Sequence, residues 1–263
     1  MRKKVLPFLV LLVVVFAVPL FFACNEVEFD FQVGDFGYTI NSDGENTVTL
    51  SKLLNFELEN AHIPATVTHE DKTYTVTQIG SAVFAPVPSG VTLKDAFDYD
   101  SANDEANDFL KTVTFAEGSA VRVIGGRAFE KCKRLTAIAL PASLEQIGGF
   151  AFKNCASLIS ITIPPNVKQI GDYAFENCTN LSIVDLSVTD PQNLPKIGAA
   201  AFKWFDKSKV AFSGGDGYRI IENLSITVAS NEVLAAFNAL NSSPVMELRN
   251  WKDYSGVMSV REA

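Results

Sequence analysis

The segment VKQIGDYAFENCTNLSIVDL, residues 167–186, gathers three carboxylates, Asp172, Glu176 and Asp185, with Tyr173 and the thiol of Cys178. Paired carboxylates can divide acid and base roles when their surroundings separate their pKa values. A thiol beside a base can serve as a nucleophile or bind a soft metal. Yet the segment beginning 23 residues earlier, LEQIGGFAFKNCASLISITI, is almost the same text. Repetition of that kind is written by packing. The three carboxylates fall between apolar positions and are expected to face solvent as surface acids, not as a catalytic pair.

Other candidates for chemistry are sparse. His62 and His69 flank IPATVT, seven residues apart, and on a strand odd spacing sends them to opposite faces. Neither GxSxG, HExxH, a P-loop nor GxGxxG occurs, and GGDG at 214–217 lacks the helix that a phosphate site needs. The acidic stretch DYDSANDE lacks both the third alternate ligand and the Gly of a calcium loop. No catalytic residue, metal site or cofactor is expected, and the chain reads as non-enzymatic.

The repeating frame is Ile-Gly with a Phe five residues after the Ile. It occurs at Ile79/Phe84, Ile124/Phe129, Ile147/Phe152, Ile170/Phe175 and Ile197/Phe202. In the three central units Cys132, Cys155 and Cys178 follow the Ile by eight, then Leu135, Leu158 and Leu181. Ile138, Ile161 and Val184 come next, then Leu140, Ile163 and Leu186, with Pro141 and Pro164 closing two strands. A period of this length signals a solenoid, in which each coil buries its apolar face only against its neighbours. The expected coil is one strand plus a short helical or 3-10 turn that buries the Phe. Columns of Phe, Cys, Leu and Ile then run through the core.

The texts IGGRAFEKCKRLTAIALPASLEQ, IGGFAFKNCASLISITIPPNVKQ and IGDYAFENCTNLSIVDL resemble the BspA-like leucine-rich repeats of bacterial surface lipoproteins. The resemblance is tight over about residues 120–205 and looser over 60–84. It implies a leucine-rich-repeat solenoid that works by binding, in adhesion or host interaction, from the cell surface. A structural envelope protein, or an accessory scaffold of a surface complex, is the alternative.

Three readings compete for the Cys column: a buried ladder of small side chains, a disulfide between neighbouring coils, or a metal site. The ladder fits best. A disulfide leaves an odd Cys, and there is no CxxC or nearby His. Burial of the column also predicts that Cys155→Ser would bury an unpaired hydroxyl.

The N-terminus carries targeting. MRKK precedes a 19-residue apolar run, and Cys24 follows it directly. FFAC resembles a lipobox, with Phe21 where Leu is usual, so Cys24 is the candidate lipidation site; an uncleaved anchor and plain secretion are the alternatives. The formal net charge is −8, and loss of Arg2, Lys3 and Lys4 with residues 1–23 leaves −11. Such a chain has no electrostatic footprint for nucleic acid, and it meets the bacterial envelope through the lipid alone.

The expected organisation is a signal peptide at 1–23, an acidic tether at 24–35, and an N-terminal cap with opening repeat at 36–84. An acidic insertion at 85–109 follows, then leucine-rich repeats at 110–205, and a degenerate repeat with a C-terminal cap at 206–263. LSITV at 224–228 reads as one more strand and SNEVLAAFNAL as a capping helix. Two places could meet a protein or glycan. One is the outward strand surface: Thr136, Ala137 and Ala139; Ile159, Ser160 and Thr162; Ser182, Ile183 and Asp185. The other is the insertion, where Phe97, Asp98, Tyr99 and Asp100 mix aromatic and acidic groups. Ile159 and Ile183 are expected to be adjacent in stacked coils.

Overall fold

A computed structural model describes residues 28–86, 107–186, 191–205, 218–220, 225–228 and 258–260. The targeting segment with Cys24, the insertion residues Phe97, Asp98, Tyr99 and Asp100, and the expected capping helix lie outside the described residues.

The chain opens with an antiparallel cap. β1 (Phe31–Val33) pairs with β2 (Phe36–Ile40), and β2 with β3 (Thr47–Leu53). β1 lies within the stretch read from the sequence as tether, and Phe31 is buried against Tyr38. β4 (Asn60–Ile63) starts the first coil. β5 (Thr66–His69) and β6 (Lys72–Ile79) form a hairpin. Both its turn residues, Glu70 and Asp71, have positive φ, as a two-residue turn matched to strand twist requires.

Beyond the cap, the repeating coils stack in parallel. β8 (Val123–Ile124), β10 (Gln146–Ile147), β12 (Gln169–Ile170) and β14 (Lys196–Ile197) continue from β6 in strict register. Ile79, Ile124, Ile147, Ile170 and Ile197 form one buried row. This is a second strand in every coil, where one was expected. The expected strands lie across the coil. β7 (Thr112–Phe115) pairs with β4 and with β9 (Ala137–Ile138). β11 (Ser160–Ile163) pairs with β13 (Ile183–Leu186), and β13 with β17 (Ser225–Val228), the extra strand read from LSITV. β18 (Met258–Val260) adds to β17 and places three residues of a tail in which the sequence marks no strand.

The glycines of the Ile-Gly pairs allow this closeness. A Cβ on Gly148 would lie 2.5 Å from the Gly126 nitrogen, and on Gly171 it would meet the Gly149 nitrogen as closely. The turn that follows is a run of short turns and not a continuous 3-10 helix. Ala128, Glu130 and Cys132 donate to carbonyls three residues back, while Arg127, Phe129 and Lys131 donate to the next coil. The alternation arises because Arg127 and Lys131 sit in the left-handed region, as do Phe150 and Asn154, and Tyr173 and Asn177. Among the described residues the 3-10 helix η1 (Pro191–Asn193) falls elsewhere, in the widened interval before Ile197. After Phe202 the pattern changes: β15 (Lys203–Phe205) pairs antiparallel with β16 (Tyr218–Ile220).

The core is columnar. Phe84, Phe129, Phe152, Phe175 and Phe202 stack with centroids 4.8, 5.1, 5.1 and 5.2 Å apart. Phe36 of the cap meets Phe84 edge-on at 6.1 Å and closes the column. Each such pair adds about 0.5–1.5 kcal/mol beyond area burial.

Candidate functional site

The groups that could do chemistry are disposed as follows. Cys132, Cys155 and Cys178 are fully buried and unpaired by disulfide. Each thiol donates to the Phe carbonyl of the preceding coil: Cys132 to Phe84 at 3.5 Å, Cys155 to Phe129 and Cys178 to Phe152 at 3.1 Å. Burial pushes all three thiols up, Cys178 to about 12, so they are neither nucleophiles nor ready ligands. The carbonyl acceptor also corrects one expectation: a serine at position 155 would have a partner for its hydroxyl.

The acids of the opening segment separate. Asp172 is exposed and its Oδ1 accepts from the Ala199 N–H at 2.7 Å. Asp185 is half-buried. Glu176, expected in solvent, is buried and ion-paired with Lys153 at 2.9 Å. The sequence hides this because the partner belongs to the preceding coil. His62 faces out from β4 and shares a hydrogen bond with Thr114 at 3.0 Å. His69 stacks on Phe31 at 4.4 Å. Among the described residues, no three His, Cys, Asp or Glu side chains are placed to hold a metal ion.

The outward strand rows are the remaining candidate. Thr136, Ala137, Ala139, Ile159, Ser160, Thr162 and Ile183 are exposed; Ser182 and Asp185 are half-buried. Ser160 pairs across with Ile183 and Thr162 with Asp185. Ile159 therefore stands one position off Ile183, opposite Ser182, whose N–H donates to the Ile159 carbonyl at 2.9 Å. The two isoleucines are diagonal neighbours in adjacent coils. They are 55% and 38% exposed. The rows extend through Thr112 and Thr114 of β7 to Asn60 and His62 of β4, none of them singled out in the sequence as a surface residue for binding. Thr112 donates to Asn60 at 2.7 Å.

The insertion is anchored at its exit beside these rows. Asn107 is buried; its side chain donates to the Phe84 carbonyl at 3.1 Å and accepts from the Leu110 N–H at 3.0 Å. It stands three residues before Leu110 as Cys132 stands before Leu135, so it fills the Cys column of the first coil.

Parallel coils, a repeated Leu-x-x-Ile core pattern and one exposed strand per coil define a leucine-rich-repeat solenoid. Residues 105–223 match the family model for the BspA type leucine rich repeat region, in 6 copies. A leucine-rich-repeat protein from Bacteroides capillosus is 30% identical, over 53% of this chain and 86% of that one, with a TM-score of 0.40. The chain belongs to the BspA-type leucine-rich-repeat family. The leucine-rich-repeat protein of T. pallidum shares its fold, with a TM-score of 0.53 and 23% identity over 74% of this chain and 69% of that one. A leucine-rich cell surface protein from Faecalibacterium prausnitzii is 21% identical, over 78% of this chain and 65% of that one, with a TM-score of 0.34. Curated proteins give no match.

Proposed function

We propose that this chain is a non-catalytic binding protein, exported and lipid-anchored through Cys24, that recognises a protein on host or neighbouring cells through its outward strand rows. The observation that carries the reading is a contrast of charge. On the ladder β8–β10–β12–β14 the outward groups, apart from the half-buried Val123, are Arg122, Glu145, Gln146, Lys168, Gln169 and Lys196, with a Glu145–Lys168 ion pair at 3.0 Å. That surface is made for water. The rows of β7, β9, β11 and β13 carry mainly Thr, Ser, Ala and Ile; their charges among the described residues are Asp185 and, at the cap end, Lys111, which is ion-paired with Glu59 at 2.7 Å. A sparsely charged, mildly apolar strip across the central coils, on a chain of net charge −8, suits a protein partner better than bulk solvent.

The test is binding of the chain lacking residues 1–23 to arrayed extracellular-matrix proteins and glycans. The double variant Ile159→Lys, Ile183→Lys should lose at least tenfold in affinity, because two buried ammonium groups oppose contact. Deletion of residues 87–106 should leave binding in place. Binding that ignores the lysines but vanishes with the deletion would transfer recognition to the acidic insertion.

A further inference from the structure

Outside the phenylalanine column runs a second one, built by the residue just before each buried Ala-Phe or Val-Phe pair. Its members are Ala82, Arg127, Phe150, Tyr173 and Ala200, all with φ between 51° and 59°. The Arg127 guanidinium lies 4.4 Å over the Phe150 ring, and Phe150 stacks on Tyr173 at 5.0 Å with 13° between planes. The column thus reads guanidinium, ring, ring, and then the bare methyl of Ala200. One face of Tyr173 is covered by Phe150; toward the other face, among the described residues, the next coil brings Ala200 to the stacking position. Tyr173 remains half-buried, and the exposed Asp172 is held beside it by the Ala199 N–H. Glu176 is already engaged by Lys153.

We propose that the outer face of Tyr173, with Asp172 beside it, receives an arginine side chain from a partner protein. The Arg127–Phe150 contact is the internal template for this docking. A guanidinium is planar and weakly hydrated, so it leaves water for an aromatic face more readily than an ammonium does. The acidity of the chain, with Asp172 at the slot, complements a basic segment and repels an acidic one. The slot lies on the turns between β12 and β13 and is independent of the strand rows.

The experiment measures fluorescence anisotropy of a labelled peptide of alternating Arg and Gly on the full chain, with the citrulline peptide as control. The arginine peptide should bind and the citrulline peptide should not. Tyr173→Phe should bind as the parent does, and Tyr173→Leu should bind about three- to tenfold more weakly. Ala200→Arg should abolish binding by setting an internal guanidinium over Tyr173; Arg127 shows that the left-handed position accepts Arg. Thermal melts report whether each variant folds, and Ala200→Arg decides the matter should Tyr173→Leu unfold. Equal binding by folded Tyr173→Leu, undiminished binding by folded Ala200→Arg, or no preference for arginine over citrulline overturns the proposal.

Discussion

Two columns climb the same turns at the same spacing, and they differ in what they tolerate. The inner column is Phe at all five levels, from Phe84 to Phe202, and every ring is buried. The outer column holds Ala, Arg, Phe, Tyr and Ala at equivalent levels. Stacking geometry is nearly the same, 5.1 Å for Phe152–Phe175 and 5.0 Å for Phe150–Tyr173. Burial makes the difference. Inside, any change of volume leaves a void or a clash in a close-packed interior. Outside, water fills what a side chain vacates, so the position is free to carry chemistry particular to one coil.

The contrast is broken most severely from within. Phe152→Ala should cost about 3–5 kcal/mol in a denaturant titration, the range for a buried Phe; a loss below about 1 kcal/mol would show that the stack relaxes around the gap. Gly148→Ala should cost about 3 kcal/mol, because the neighbour it strikes is backbone and cannot swing aside. The thiols add a pH dependence. Burial raises all three, so their contribution is whole below the ordinary thiol value of about 9 and is lost as the pH climbs above it, for Cys178 up to about 12. Above 9 each thiol should remove about 1.4 kcal/mol of stability per pH unit, and Cys155→Ala should flatten the slope. Phe150→Ala, in the outer column, should cost only about 1 kcal/mol. A loss as large as that of Phe152→Ala would erase the distinction between the columns.

Legibility in the sequence follows the same division. The Phe, Cys, Leu and Ile columns are plain because burial demands the same residue type every 23 positions. The second strand of each coil escapes because Gln146–Ile147 is two residues long and shows no alternation. The left-handed turn positions escape because Arg127, Phe150 and Tyr173 carry none of the Gly or Asn signature of positive φ. Burial of Glu176 depends on Lys153 in another coil, and a linear reading has no view of that pairing. The offset of Ile159 from Ile183 is already in the period, since the two are 24 residues apart in a 23-residue repeat, and the strand register keeps it. Of the candidate site, the outward rows of the central coils are readable, while their continuation through Thr112, Thr114, Asn60 and His62 is not, since β4 and β7 stand apart from the regular period.

The cysteine ladder has a consequence for how the stack comes apart. Three thiols sit at three successive levels, all sealed from solvent, and each can meet a disulfide reagent only when its own level opens. Their labelling rates are therefore three clocks along one axis. Equal rates for Cys132, Cys155 and Cys178 mean that the coils part together as one cooperative body. A gradient from one end to the other means that the solenoid unzips, and its direction names the end that yields first.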